Sequence, residues 1–149
     1  GEIFVATRIA AEGGAASYVA GMPRARQPFH TGCLVTVDRM VQAVEEKARL
    51  REQGARAVDM EAAAVAAEAS RQGLRFFCVR VVLDGAEESF RLDFNAARGE
   101  HGHLSNWKIV RAALARPWRG VPELVRWGRR SRGAARVLGD FIAECTVED

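Results

Sequence analysis

The stretch ARAVDMEAAAVAAEASRQGLRFFCVRVVLDGAEESF, residues 55–90, carries the clearest pattern in this chain. It opens with a short β-like run that ends at Met60, continues through an alanine-rich segment, and passes Gly73 into a longer β-like run that ends at Asp84. Alanine is the best helix former, whereas β-branched and aromatic residues favour strands. The stretch therefore predicts a strand, a helix that ends at its glycine, and a second strand.

The same alternation begins further upstream. Glu2–Ile9 (EIFVATRI) and Gly32–Val37 (GCLVTV) have the apolar, β-branched content of two more strands. Asp38 stands at the N-cap of a predicted helix over residues 39–53, which Gly54 ends. Strands that alternate with helices predict a parallel sheet joined by right-handed crossovers, which is the α/β class.

Two segments lie outside this pattern. Residues 10–29 are small, rich in glycine and interrupted by proline, so we expect irregular structure there. Residues 104–116 have a helical spacing that Pro117 interrupts, and one or two further helices should follow. We expect one domain over residues 1–149, with residues 101–149 as its helical C-terminal part.

The composition is that of an ordinary globular domain. The 149 residues carry a net charge of +3, and no apolar run or signal-peptide pattern suggests a membrane span or secretion. Cys33, Cys78 and Cys145 are odd in number and lack a CxxC pair, which predicts buried thiols in a reducing, cytoplasmic compartment. His101 and His103 lack a third ligand, so we expect no metal, and we also expect no other cofactor.

Two acidic residues directly follow β-like runs. Glu61 opens the alanine-rich helix, where a carboxylate either stabilises the helix N-terminus or belongs to a binding site. Asp84 follows the longest β-like run, where a carboxylate either starts a turn or needs a buried partner. Arg80 projects to the same face, but four extended residues span about 13 Å, which is a long reach for a direct pair. Ligands of open parallel sheets gather at the carboxyl ends of strands, so we expect both acids at one sheet edge.

Two carboxylates at one sheet edge suit a polyhydroxylated ligand that carries a protonatable nitrogen. One carboxylate can accept hydrogen bonds from both hydroxyls of a diol. The other can donate a proton to a leaving group. The residues alone leave this reading open beside a plain helix start and a plain turn.

Specific motifs in the chain resemble those of nucleoside phosphorylases and nucleosidases. The segments AVDMEAAAVA (57–66) and LRFFCVRVVLDGA (74–86) are similar to that family's VDMEgAAvA and vPfxxvRxiSDxA. The tail, residues 104–138, resembles the ending of the hopanoid-associated phosphorylase subgroup, which releases adenine from adenosylhopane. The resemblance implies a phosphorylase-like three-layer α/β fold with a mostly parallel central sheet, which lacks the family's N-terminal strands.

The resemblance also implies a role for each matching residue. Asp84 would be the catalytic acid that donates a proton to purine N7, and Arg80 would support it. Glu61 would bind the ribose 2′ and 3′ hydroxyls, and Met60 would pack on the sugar. These roles predict cleavage of the N-glycosidic bond of a purine nucleoside.

The base pocket would fall on the segment after Val37. By the resemblance, Asp38 and Met40 lie in this pocket, with Met40 facing adenine. Leu83 stands where the family has a serine before the catalytic aspartate, and the family's front section, which binds phosphate or water, has no counterpart in these 149 residues. Hydrolysis and phosphorolysis therefore both stay open.

The expected partners follow from these roles. We expect a small-molecule nucleoside, with a lipid-linked adenosine and phosphate as candidate substrates, bound by a homo-oligomer. The alternative is a non-catalytic or truncated member that acts as a structural, oligomerising subunit. The basic tail with its tryptophans suits either peripheral attachment at the inner membrane or core packing with solvated arginines. No recognition motif accompanies the charge, so we expect no nucleic-acid partner.

Overall fold

The computed structural model of the chain describes residues 1–14, 16–89 and 117–147. Its strands are β1 (Glu2–Ala11), β2 (Ser17–Val19), β3 (His30–Thr36), β4 (Ala57–Asp59) and β5 (Val79–Val82). Its helices are α1 (Val44–Glu52), α2 (Ala62–Arg71) and α3 (Pro117–Glu144), with one short 3-10 turn at Glu12–Gly14. The predicted alternation of strands and helices is confirmed from β3 to β5.

The strands form one sheet whose centre is parallel. β3 lies between β1 and β4, and all three run in the same direction. β5 and β2 both pair antiparallel with β1, each along a different part of it. Glu2 lies opposite Val82 of β5, and Arg8 lies opposite Val19 of β2. The α/β class with a mostly parallel central sheet is confirmed.

The direction of β5 differs from the prediction. A regular alternation of strands and helices would place β5 parallel to the other strands. Instead β5 runs antiparallel to β1, so the carboxyl ends of β4 and β5 point in opposite directions. The prediction that these two strands are parallel and end at one sheet edge is therefore wrong. β5 pairs with the N-terminal half of β1, which β2 leaves unpaired along the same edge. Local sequence periodicity does not encode that pairing.

Helices α2 and α3 cover opposite faces of the sheet, because successive side chains of a strand point to opposite faces. Ile3 and Val5 of β1 pack with Phe141 of α3 in one buried cluster. Phe4 belongs to a second cluster, together with Ala62 of α2. The result is three layers, with the sheet in the middle. None of the helices in the described ranges is both long and apolar enough to cross a membrane.

Helix α1 starts later than the sequence predicts. It begins at Val44 after an extended N-cap residue, Ala43, so Asp38 does not cap it. Val41 packs in a buried cluster with Leu50 of α1, and this contact holds the segment before the helix against the core. Leu50 itself is buried.

Both glycines predicted to end helices do so. Gly54 follows α1 with a φ of 95°, and Gly73 follows α2 with a φ of 66°. Such left-handed conformations are strained for residues with a side chain, so glycine is favoured at these two positions.

Two local predictions need correction. Residues 10–29 are not wholly irregular, because β2 forms within them. The predicted strand over Leu74–Asp84 is shorter in the structure, where it is β5, because only its second half pairs continuously with β1. The helix predicted to follow is present as α3, which begins at Pro117, where the first turn of a helix needs no N–H donor. The predicted helix over residues 104–116, like His101 and His103, lies outside the described residues.

The three cysteines are free thiols. Cys78 is buried, and burial raises its pKa above the ordinary value of a thiol. Cys33 and Cys145 are only half-buried. The predicted burial is therefore confirmed for Cys78 alone.

Candidate active site

The carboxylate of Asp59, at the end of β4, joins three other elements. Its Oδ1 accepts a hydrogen bond from Thr36 Oγ1 of β3 at 2.7 Å, and its Oδ2 accepts one from the backbone N–H of Ala62 in α2 at 3.0 Å. Arg80 of β5 donates from Nη2 to the same Oδ2 at 2.7 Å. The side chain of Asp59 is only 9% exposed. One nearly buried carboxylate therefore fixes β3, β4, β5 and α2 relative to one another.

The N-terminus of α2 is capped without the carboxylate of Glu61. Asp59 accepts from the N–H of Ala62, and Thr36 Oγ1 accepts from the N–H of Ala63 at 2.9 Å. Glu61 is the N-cap residue by position, yet its side chain makes no capping hydrogen bond. Its exposed carboxylate is thus left available at a helix end that favours negative charge.

Arg80 connects the two acids of this cluster electrostatically. Burial disfavours its charged form, but the hydrogen bond with Asp59 and the negative charges of Asp59 and Glu61 outweigh burial, so the pKa of Arg80 lies above its ordinary value. We refer to Thr36, Asp59, Glu61 and Arg80 as the strand-end cluster. A carboxylate such as that of Glu61 accepts hydrogen bonds only, which suits the hydroxyls of a diol.

Asp84 belongs to a second group of charges. Its Oδ2 accepts a hydrogen bond from Lys47 Nζ of α1 at 2.5 Å. The same ammonium donates to the backbone oxygens of Gly85 at 2.9 Å and of Glu88 at 2.7 Å. Arg80 binds Asp59 and not Asp84, as the long reach along β5 led us to expect.

The loop after β5 is also tied to α3. Arg130 donates to both carboxylate oxygens of Glu88, at 2.5 and 2.8 Å. This bidentate contact, with a smaller effect from Lys47, lowers the pKa of Glu88 to about 2. The hydrogen bonds with Glu88 raise the pKa of Arg130, and the negative charge of Asp84 raises it further. We refer to Lys47, Asp84, Glu88 and Arg130 as the loop cluster.

The predicted base-pocket segment is held by Arg39. Its guanidinium contacts the carboxylate of Glu12 at 2.6 and 2.9 Å and that of Glu46 at 2.7 Å. These contacts raise the pKa of Arg39. Asp38 points outward with a side chain that is 89% exposed, whereas Met40 is half-buried.

The structure divides the predicted site residues between separate groups. Glu61 and Arg80 lie in the strand-end cluster, and Asp84 lies in the loop cluster. Met60, which precedes Glu61 in the chain, is half-buried. Asp38 and Met40 lie on the segment that Arg39 holds. In the described ranges, no hydrogen bond or ion pair joins Glu61 to Asp84.

A surface cavity of about 590 Å³ lies elsewhere. Tyr18, Phe76 and Phe77 line it, together with residues of α2, and none of the predicted site residues does. No group of three potential metal ligands occurs in the parts of the chain that the structure covers.

Sequence reasoning missed five residues of these clusters, which are Thr36, Asp59, Lys47, Glu88 and Arg130. Asp59 could have been found, because a carboxylate inside an apolar strand must have a polar partner. Thr36 gives little signal, since threonine is common in strands. Lys47 gives none, because lysine within a helix is usually solvated.

Comparison with known proteins shows the family of this chain. Residues 7–115 match the Phosphorylase superfamily. No curated protein matches the chain. A solved structure of 5′-methylthioadenosine nucleosidase from Arabidopsis thaliana, in its apo form, aligns at 20% identity with a TM-score of 0.48. That alignment covers 76% of this chain and 49% of the nucleosidase, so the chain spans about half the length of the protein it matches. Because the family match extends over more than half of the chain, this protein belongs to the Phosphorylase superfamily.

Proposed function

We propose that this chain forms the sugar- and base-binding part of an enzyme that cleaves the N-glycosidic bond of a purine nucleoside. Membership of the Phosphorylase superfamily sets the reaction class that we consider. The observation that carries the proposal is the free carboxylate of Glu61. Asp59 and Thr36 have already capped α2, so the Glu61 side chain has no structural task at the helix end.

Glu61 and Met60 are proposed to hold the sugar. The Glu61 carboxylate would accept hydrogen bonds from the ribose 2′ and 3′ hydroxyls, and the Met60 side chain would pack on the ring. Arg80 supports this arrangement, because it is anchored by Asp59 and lies within electrostatic reach of Glu61. Two hydroxyls on one carboxylate fix the orientation of the ribose, and such positioning accounts for a large share of enzymatic rate enhancement.

Asp84 is proposed to act on the base. It would donate a proton to purine N7 while the glycosidic bond breaks and the ribose gains oxocarbenium character. Proton transfer from a positioned acid typically contributes about 10²- to 10⁴-fold to a rate. Asp38 and Met40 would line the base pocket, with Met40 against adenine.

The finer proposal is that the nucleoside is adenosylhopane and that adenine is released during hopanoid synthesis. The resemblance of residues 104–138 to the hopanoid-associated phosphorylase subgroup supports it. Water or phosphate would be the second substrate, and the working form would be a homo-oligomer in the cytoplasm.

Adenine release tests the proposal. The purified protein is incubated with adenosylhopane or adenosine, with and without phosphate, and free adenine is measured. We expect Asp84→Asn and Glu61→Gln each to lower the rate by about 100-fold or more. Glu68→Gln is the matched control, because Glu68 is an exposed acid of α2 that binds Arg71. A wild type that releases no adenine, or the same rate in all three variants, would contradict the proposal.

A non-catalytic, oligomerising subunit is the second candidate. The separation of Glu61 and Asp84 into two clusters favours it, as do the exposed apolar side chains of Val19 and Leu74, which are 86% and 61% exposed. Both candidates form oligomers, so adenine release distinguishes them. An oligomer in sedimentation that releases no adenine would favour the subunit, whereas adenine release would exclude it.

A basic face of α3 is proposed to contact the inner membrane. Arg129, Arg132 and Arg136 recur at helical spacing and are exposed. Ala134 and Phe141, on the opposite face, are buried. Each arginine near an anionic bilayer contributes about 1 kcal/mol of attraction, so the three on this face would together contribute about 3 kcal/mol.

Vesicle binding tests this contact. We expect the protein to sediment with phosphatidylglycerol vesicles but not with phosphatidylcholine vesicles, and raised salt should release it. Replacing Arg129, Arg132 and Arg136 by glutamine should weaken binding by about 10-fold or more. Glutamine at Arg8, Arg26 and Arg56, which are exposed elsewhere, removes the same charge and is the control. Equal loss in both triple variants would contradict the assignment to α3.

A further inference from the structure

Lys47 binds the loop that follows β5 through its ammonium group. An ammonium has three N–H donors, and Nζ makes three short contacts here, with Asp84 Oδ2, the oxygen of Gly85 and the oxygen of Glu88. Two of the three acceptors are backbone oxygens. Lys47 therefore determines the path of the loop as well as the position of one carboxylate.

The helix that carries Lys47 is held in place by the core. Helix α1 is anchored by Leu50, which is buried with Val37 and Val41. The Lys47 side chain is itself only 10% exposed. A charge that is nearly buried is costly unless it is paired, so leaving the loop would be unfavourable for Lys47.

We propose that Lys47 is the positioning residue for Asp84 in the cleavage reaction, a role that rests on the proposed function. In the proposed step, the Asp84 O–H bond breaks and an N–H bond forms at the base. The electron pair of the glycosidic bond goes to the purine, and water or phosphate forms the new bond to the sugar. Asp84 is left as a carboxylate, and Lys47 lies opposite that new charge at hydrogen-bond distance. Lys47 thus stabilises the product side of the proton transfer and fixes the direction from which the proton is given.

The neighbouring charges cannot replace Lys47. Arg130 of α3 feels the charge of Asp84, but its guanidinium is bound to both oxygens of Glu88. Arg51 of α1 is 59% exposed, and among the described residues its ion pair is with Glu87, at 3.9 Å. Lys47 is therefore the cation among these three that donates directly to Asp84.

Replacement of Lys47 by methionine tests the role in catalysis. We expect kcat to fall about 10- to 100-fold, because a displaced acid loses its alignment. KM should change little, since Glu61 binds the sugar. Lys47→Arg should restore part of the rate, and Arg49→Met, at an exposed cation of α1, should leave both kcat and KM unchanged.

A double-mutant cycle separates this proposal from the proposed function. Unfolding constants are measured in denaturant for Lys47→Met, Asp84→Asn and the double variant. The two sites should be coupled, so the double variant should differ from the product of the single effects by about 3- to 30-fold. Additive effects would show that the ion pair is not formed and would overturn the proposal.

Each kinetic outcome has one meaning. A wild-type kcat in Lys47→Met, in a protein that releases adenine and shows the coupling, would overturn the role of Lys47 alone. A wild type without adenine release would overturn the proposed function, and the reaction role of Lys47 with it. If Lys47→Met does not fold, Lys47→Gln keeps two N–H donors without the charge. A wild-type kcat in that variant overturns the proposal, and a lowered kcat with an unchanged KM supports it.

Discussion

Asp59 and Asp84 each bind one cation, but their surroundings differ. Asp59 is 9% exposed and binds Arg80, Thr36 and the N-terminus of α2. All three partners belong to strands or helices. Asp84 is 27% exposed, lies in a loop, and binds a lysine 37 residues away. The difference separates a carboxylate that holds the fold together from one whose contacts leave it accessible for chemistry.

Removal of Asp59 should have the largest effect on stability. Asp59→Ala leaves the half-buried Arg80 without its partner and uncaps α2. We expect the free energy of unfolding to fall by about 2–4 kcal/mol, measured by urea denaturation. Asp38→Ala removes a carboxylate that is 89% exposed and should cost less than about 0.5 kcal/mol. Equal losses in the two variants would abolish the distinction drawn between buried and exposed acids.

Removal of the Thr36 hydroxyl should have an intermediate effect. This hydroxyl donates to Asp59 and accepts from the N–H of Ala63, and valine has nearly the same shape without it. We expect Thr36→Val to lower the free energy of unfolding by about 1–2 kcal/mol. Thr31→Val, at an exposed position of the same strand, is the control. A stabilised Thr36→Val variant would mean that the hydroxyl does not connect β3 to α2.

The pair Glu88–Arg130 of the loop cluster should have the smallest effect, and acid should remove it. The folded-state pKa of Glu88 is lowered to about 2, so its contribution is fully present above its ordinary value of about 4.5 and is lost as the pH falls towards 2. Both side chains are about two-fifths exposed, which limits the contribution to less than about 1 kcal/mol. The difference in unfolding free energy between wild type and Arg130→Gln should therefore shrink between pH 5.5 and pH 3, to about half or less of its value. Glu87→Gln, at an acid that is 81% exposed, should show no such trend, and a constant difference for Arg130→Gln would refute the pairing.

Sequence patterns predicted the elements better than their arrangement. The strand and helix order and the stops at Gly54 and Gly73 depend on local propensity and periodicity, and the structure confirms them. The direction of β5 depends on its pairing with the N-terminal half of β1, and no local pattern encodes a pairing between such distant segments. Asp38 looked like a helix cap, but the contacts of Val41 with the core delay the helix.

The candidate site shows the same division. Glu61 was recognisable from its motif, and the structure leaves its carboxylate free. Lys47 was not recognisable, because its partner Asp84 lies 37 residues away. Contacts between distant elements depend on the fold, so sequence reasoning nominated Asp84 and missed the lysine that binds it.

The packing of Phe141 against Ile3 and Val5 has a consequence for how the chain folds. The first strand is buried on that face by the last helix, and along one edge it pairs with β5, which is also distant in sequence. Contacts of such long range must pay the entropy of closing large loops before they stabilise anything. The chain should therefore fold more slowly than a helical bundle of its size, on a scale of milliseconds to seconds. β1 would be fully buried only after α3 has packed against it.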